Sequence, residues 1–299
     1  MRLKEMTMKG YVAIFLIGMV ASPVFASDPC PYDPDTLSFR GAPSAQAACL
    51  LRTVSQWAKV EKSPVVLPEI LAGRVGKEIV LTTSQLRSYL ALHQIEENDI
   101  GGNLDAPVSR ANPNKNGLFS AKYFVIHDTS TPNYRKANFP LDINSAAWKY
   151  NDLAGWKQGD ESKAHVFVNR LGHSVTAVSF EQGWRATKFE LDYSKYYQGS
   201  PATAVRGRFL HIELVQPRRS AKPAGSDDAI APEPGFTDAQ YRRLALLYVA
   251  ASIRAGEWLI PAYHAVLDLG LKGAHDDPQN FQHSRWVEEL KNLLKELEA

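Results

Sequence analysis

Tyr123-Phe124-Val125-Ile126-His127 is a run of aromatic and β-branched residues that ends on a histidine. Such composition predicts a buried strand over 122–126. Polar Asp128-Thr129-Ser130 follows, and the ends of buried strands are where sites are built. Further along, His165-Val166-Phe167-Val168, Asn169-Arg170-Leu171-Gly172 and Ser174–Phe180 predict a hairpin closed by a glycine-containing turn. Phe209-Leu210-His211-Ile212-Glu213-Leu214-Val215 predicts another strand. Its period of two places Phe209, His211, Glu213 and Val215 on one face and Leu210, Ile212 and Leu214 on the other.

Helical patterns alternate with these strands. Thr82 and Gln85 form a capping box ahead of Leu86, Tyr89, Leu90 and Leu92. Thr237 and Gln240 form another, followed by a stripe of Tyr241, Leu244, Tyr248, Ala251 and Ala255. The last helix carries Trp286, Leu290, Leu293 and Leu297. Strands flanked by helices predict an α/β architecture. The loop-like stretch 101–117 divides an N-terminal region, 27–117, from the domain 118–299, and Gln216–Gly235 reads as a long surface loop.

The chain has 299 residues, 44% hydrophobic and 22% charged, an ordinary globular composition. Arg2, Lys4 and Lys9 precede an apolar run, Tyr11–Ala21, and small residues up to Ala26. That pattern predicts a cleaved secretory signal peptide over 1–26. The run is about half the ~20 residues a membrane span needs, so no stable membrane anchor is expected. Without residues 1–26 the chain carries 31 acidic and 31 basic residues. The sequence has no basic stripe of the kind that binds nucleic acid. The two cysteines, Cys30 and Cys49, are expected to pair in an oxidising compartment, the alternative being a free buried thiol. Closing their short loop is worth roughly 3 kcal/mol on the chain-entropy model.

Tyr263 to Phe281 packs His264, His275, Asp268, Asp276 and Asp277 into one short segment. Neutral imidazoles and carboxylates are what zinc takes from a protein. Joined to His127, the segment offers two histidines and an aspartate, with a fourth position left for water, as in hydrolytic zinc enzymes. One histidine alone carries little weight, because a lone His is more often a hydrogen-bonded structural residue.

The order Tyr123–Ser130, Ala164-His165-Val166-Phe167-Val168-Asn169-Arg170-Leu171-Gly172, His211-Ile212-Glu213-Leu214, Phe236-Thr237-Asp238-Ala239-Gln240, then His264 and Asp277-Pro278 resembles the type 2 N-acetylmuramoyl-L-alanine amidases. These share their fold with the peptidoglycan recognition proteins. The resemblance covers roughly 118–290 and implies a central mixed β-sheet flanked by helices. It implies zinc held by His127, His264 and Asp277, with Glu213 assisting the attacking water. The family's lysine, two positions before the third ligand, falls here on His275. Lys272 is an alternative source of that cation, and Asp276 or His275 an alternative third ligand.

The resemblance therefore implies a secreted or periplasmic zinc amidase. It would cut the bond between N-acetylmuramic acid and L-alanine, with peptidoglycan or muropeptides as partner. A non-catalytic wall-binding module of the same fold and a zinc peptidase acting on the stem peptide are the rivals, although the chain has no His-Glu-x-x-His helix. His211 is expected to support a ligand or Glu213, His165 to be a support and His173 to face solvent. Trp148, Trp156 and Trp184 fit either sugar stacking or core packing.

Overall fold

The computed structural model describes residues 30–55, 59–112, 117–135, 138–157, 164–196, 202–220 and 229–298. The expected signal peptide lies outside the described residues. The architecture is mixed α/β around a five-stranded sheet. Its strands are β1 (Tyr123–Asp128), β2 (Val166–Val168), β3 (Ser174–Thr176), β4 (Phe209–Leu214) and β5 (Ile260–Tyr263). They run in the order β3-β2-β4-β1-β5, all parallel except β3, which pairs antiparallel with β2.

β1 and β4 lie at the centre and every residue of both is buried, as continuous apolar runs in a doubly covered parallel sheet require. β1 continues two residues past the expected end, because His127 and Asp128 pair with Glu213 and Leu214. The expected hairpin forms as β2 and β3, with positive-φ Gly172 in the turn.

Helices cover both faces. Phe124 packs on Tyr248 at 5.3 Å between ring centroids, and Tyr248 packs on Trp286. These contacts seat α4 (Asp238–Ala255) and α6 (His283–Glu298) on one face. On the other face Phe209 meets Phe189 of α3 (Lys188–Tyr196) at 5.9 Å. The helices α1 (Pro43–Leu50) and α2 (Thr83–Leu92) precede these, and both expected capping boxes form, at Thr82/Gln85 and Thr237/Gln240. Gly256 ends α4 in the left-handed conformation that glycine adopts without strain.

The segments on either side of 101–117 share one hydrophobic core. A hairpin, Tyr32–Asp33 with Ser38–Phe39, sits against the base of the sheet. There the Phe39 N–H donates to the Tyr123 hydroxyl, which donates to Gln46 Oε1. Cys30 and Cys49 are joined by a disulfide, which fits an extracytoplasmic location. Among the described residues no helix is long and apolar enough to cross a membrane.

Three expectations change. Leu92 is 80% exposed, because its helix turns that position away from α6. Ala255 is only partly buried. Gln216–Gly235 is not simply a surface loop: Gln216, Arg218 and Ser220 are buried. Arg218–Ser220 pairs with Asn133–Arg135 and with Ala229–Ile230. Its polar composition hides this, since Arg218 is buried against a carboxylate, Asp128.

Candidate metal centre

Strand register assembles the centre. Glu213 stands opposite His127 across the parallel β4–β1 pair. The β5–β1 pairing ends at Tyr263 and Ile126, so the next residue on each strand, His264 and His127, also adjoin. His264 opens a short helix, α5 (His264–Leu267). The Ala265 N–H bonds the Asp277 carbonyl, which folds residue 277 back beside His264.

The side chains of His127, His264 and Asp277 converge, with ligand atoms within 4.8 Å of one another, all three residues buried. His127 Nδ1 lies 2.9 Å from His264 Nδ1. His264 Nδ1 lies 3.0 Å from Asp277 Oδ1, and His127 Nδ1 lies 3.7 Å from Asp277 Oδ2. A tetrahedral zinc with bonds of about 2.0–2.1 Å holds its ligand atoms roughly 3.3 Å apart. This donor set therefore fits a metal ion.

Each histidine is oriented from behind. A ligating Nδ1 needs its lone pair, so the proton of neutral His127 sits on Nε2. That nitrogen lies 3.0 Å from His211 Nδ1 and donates to it. His211 Nε2 in turn lies 3.2 Å from Glu190 Oε2. Glu190 Oε2 also accepts from the Ala186 and Thr187 N–H groups and the Thr187 hydroxyl. His264 Nε2 lies 3.0 Å from Asp268 Oδ2, and Asp268 accepts from the Lys188 and Phe189 N–H groups. Both lines are carboxylate–histidine supports of the kind that tune metal ligands. Both end at the N-terminus of α3.

Charge also favours a cation here. Asp128, Glu190, Glu213, Asp268 and Asp277 are all buried. Among the described residues the one arginine bonded to any of them is Arg218, 2.8 Å from Asp128 Oδ2. Burial pushes the Asp128 carboxyl up to about 6 against the pull of Arg218. Burial and the neighbouring His264 and His211 hold His127 well below the ordinary imidazole value, the neutral form a metal requires. Burial lowers His264 too, but Asp277 and Asp268 outweigh it and hold its pKa well above that value. Burial opposes ionisation of Asp277, yet His264 keeps its carboxyl well below the carboxylate range.

The other expected site residues separate clearly. Glu213 Oε1 lies 3.9 Å from His127 Nδ1, beside the centre. His275 stacks on His264 at 4.5 Å and reaches within 3.7 Å of Asp277, its side chain 53% exposed. Lys272 is exposed and makes no ion pair among the described residues. Asp276 turns away to Gln279 and towards Arg218, 3.6 Å from it. Asp277, rather than His275 or Asp276, thus joins the two histidines. His165 is a support: its Nδ1 accepts the His211 N–H and its Nε2 faces the Gln182 carbonyl. His173 is exposed. Trp148 is buried with Val215, and Trp156 stacks on Phe167, so packing occupies both.

Sequence reasoning overlooked Glu190 and the work of Asp268. Each had a signal: Thr187-x-x-Glu190 is a capping box, and Asp268 stands four residues after His264, one helical turn away. The buried Arg218–Asp128 pair had none. No protein-family model, curated protein or solved structure matches this chain.

Proposed function

We propose that the protein is a secreted zinc amidase that hydrolyses the bond between N-acetylmuramic acid and the L-alanine of peptidoglycan. The observation that carries this reading is the buried His127–His264–Asp277 group with Glu213 beside it on the neighbouring strand. Three protein ligands, which leave one position for water or substrate, are the arrangement of a catalytic rather than a structural zinc. The five ordered motifs that resemble the type 2 amidases supply the substrate class.

Bound zinc supplies Lewis acidity, which polarises the scissile carbonyl and acidifies water. The protein groups do the rest. Glu213 accepts the proton of the attacking water and passes one to the leaving amine. His275, on the open side of the ligand group, donates to the carbonyl oxygen as charge develops there. His211 and Asp268 keep the two ligand imidazoles in the tautomer that presents Nδ1. The signal peptide and the disulfide support action on the wall outside the cytoplasm.

Mass spectrometry of purified peptidoglycan digested with the zinc-loaded protein tests this. Free stem peptides that begin with L-alanine are the expected product. Cuts inside the peptide would make the protein a peptidase, and an undigested wall that retains the protein would make it a binding module.

A further inference from the structure

The sheet has a second polar end. Lys122 and Arg208 immediately precede β1 and β4, so they stand at the opposite end of the same strands from His127 and Glu213. Five residues of strand separate Lys122 from His127, about 16 Å at ~3.3 Å per residue. Between this end and the N-terminal hairpin lies a cavity of about 560 Å³, and its lining includes Lys122, Arg208, Arg40, Thr36 and Ser38. Asp33 is the one carboxyl group in that lining.

Two of the cations are underused. The side chain of partly buried Lys122 makes no hydrogen bond or ion pair with the described residues, its backbone alone bonding Arg208 and Ile260. Buried Arg208 spends Nε on the Leu37 carbonyl and Nη1 on the Ser120 carbonyl, which leaves Nη2 without a protein acceptor among the described residues. Burial and then the Arg208 charge lower the Lys122 pKa. The acidic group that acts on both cations is Glu257, which forms an ion pair with neither. Cations held together without a directly paired carboxylate are costly unless an anion joins them. Three basic groups line the cavity against one carboxyl group, with Glu257 outside the lining, which leaves the cavity cationic and suited to an anion. The Thr36 and Ser38 hydroxyls, 2.9 Å apart and bonded to each other, add rotatable donors for several oxygens.

We propose that this cavity binds the phosphate group of a small phosphomonoester. Lys122 and Arg208 grip the phosphate from the floor, Arg40 at the rim, and the remaining volume takes the organic body. Seven of the ten lining residues lie between Cys30 and Cys49. The disulfide therefore fixes the wall that closes over the anion, and this gives the N-terminal hairpin a task separate from the metal centre.

Titration calorimetry of the full oxidised chain tests this with inorganic phosphate, glucose 6-phosphate, glucose and acetate. Saturable binding of the two phosphates and none of glucose or acetate is expected, with glucose 6-phosphate the tighter. Lys122→Gln removes an ammonium that bonds no described residue and should weaken binding about tenfold, the loss of one charge-assisted bond. Arg40→Gln on the exposed rim should weaken it too, and a Cys30→Ser/Cys49→Ser chain more than either. No phosphate binding at millimolar concentration would overturn the proposal. So would acetate binding as tight as phosphate, or affinity unchanged in both Lys122→Gln and Arg40→Gln.

Discussion

His127 and His264 present the same nitrogen to the same point but are held there differently. His264 meets its carboxylate, Asp268, directly. His127 reaches Glu190 only through a second ring, His211. Both carboxylates are fixed by backbone amides at one helix N-terminus, so one element orients both ligands. The difference teaches that an outer support on a neighbouring helical turn and one relayed across two strands can converge on a single anchor. The direct arm is short and local. The relayed arm lies inside the sheet and depends on strand register.

The largest expected effects treat the arms as equals. His127→Ala and His264→Ala should each abolish the proposed zinc binding and amidase activity, measured by metal content and by digestion of purified wall. Glu213→Gln should keep its zinc while losing about 10²–10⁴-fold in turnover, the range of a general acid–base group. If either histidine variant binds zinc normally, the arms do not meet at a metal.

The next effect separates them. Asp268→Asn should cost zinc affinity towards the upper end of the roughly 10–100-fold range for such supports, and Glu190→Gln towards the lower. His211→Phe combined with Glu190→Gln should be no worse than His211→Phe alone, because they act in series. A competitive chelator titration reads all of these. Equal losses from Asp268→Asn and Glu190→Gln would erase the distinction.

A third effect is acid sensitivity in the relayed arm. Burial holds His165, behind His211, down to about 3, against about 6.5 in an unfolded chain. Between these values the unfolded state takes up the proton and the folded state does not. Stability therefore falls as pH drops from about 6.5 towards 3, by up to ~1.4 kcal/mol per unit. His165→Gln should flatten that slope by one proton in urea unfolding across pH 4–6. An unchanged slope would move the sensitivity elsewhere. The smallest effect addresses the shared anchor: Thr187→Ala removes the cap of α3 and should cost about 1 kcal/mol, with zinc affinity reduced through both arms at once.

Much of this was legible in the residues, for reasons that differ by element. β1 and β4 announce themselves because burial on both faces leaves only apolar and aromatic side chains over most of their length. His127 and Glu213 then stand out as polar exceptions in apolar runs. The helix starts were legible because capping is local chemistry within four residues. Arg218–Ser220 was not, since a buried guanidinium is explained only by Asp128, ninety positions away. The choice of Asp277 over Asp276 was open for a related reason. Adjacent aspartates look alike until the Ala265 amide fixes which way the chain turns.

The parallel pairing of β1, β4 and β5 has a consequence for how such a chain can change. His127, Glu213 and His264 are addressed by their rows in the sheet, whereas Asp277 is set by the turn that the Ala265 amide holds. Insertions in the loops between Asp128 and Phe209, outside β2, β3 and α3, or between Leu214 and Ile260, outside α4, can lengthen the molecule and leave these three where they are. A single residue gained or lost inside β4 would instead turn Glu213 to the opposite face, under α4, and set an aliphatic side chain beside His127. The strand-borne part of the centre is thus fragile over the 6, 6 and 4 positions of β1, β4 and β5 and indifferent to the length of the loops that link them.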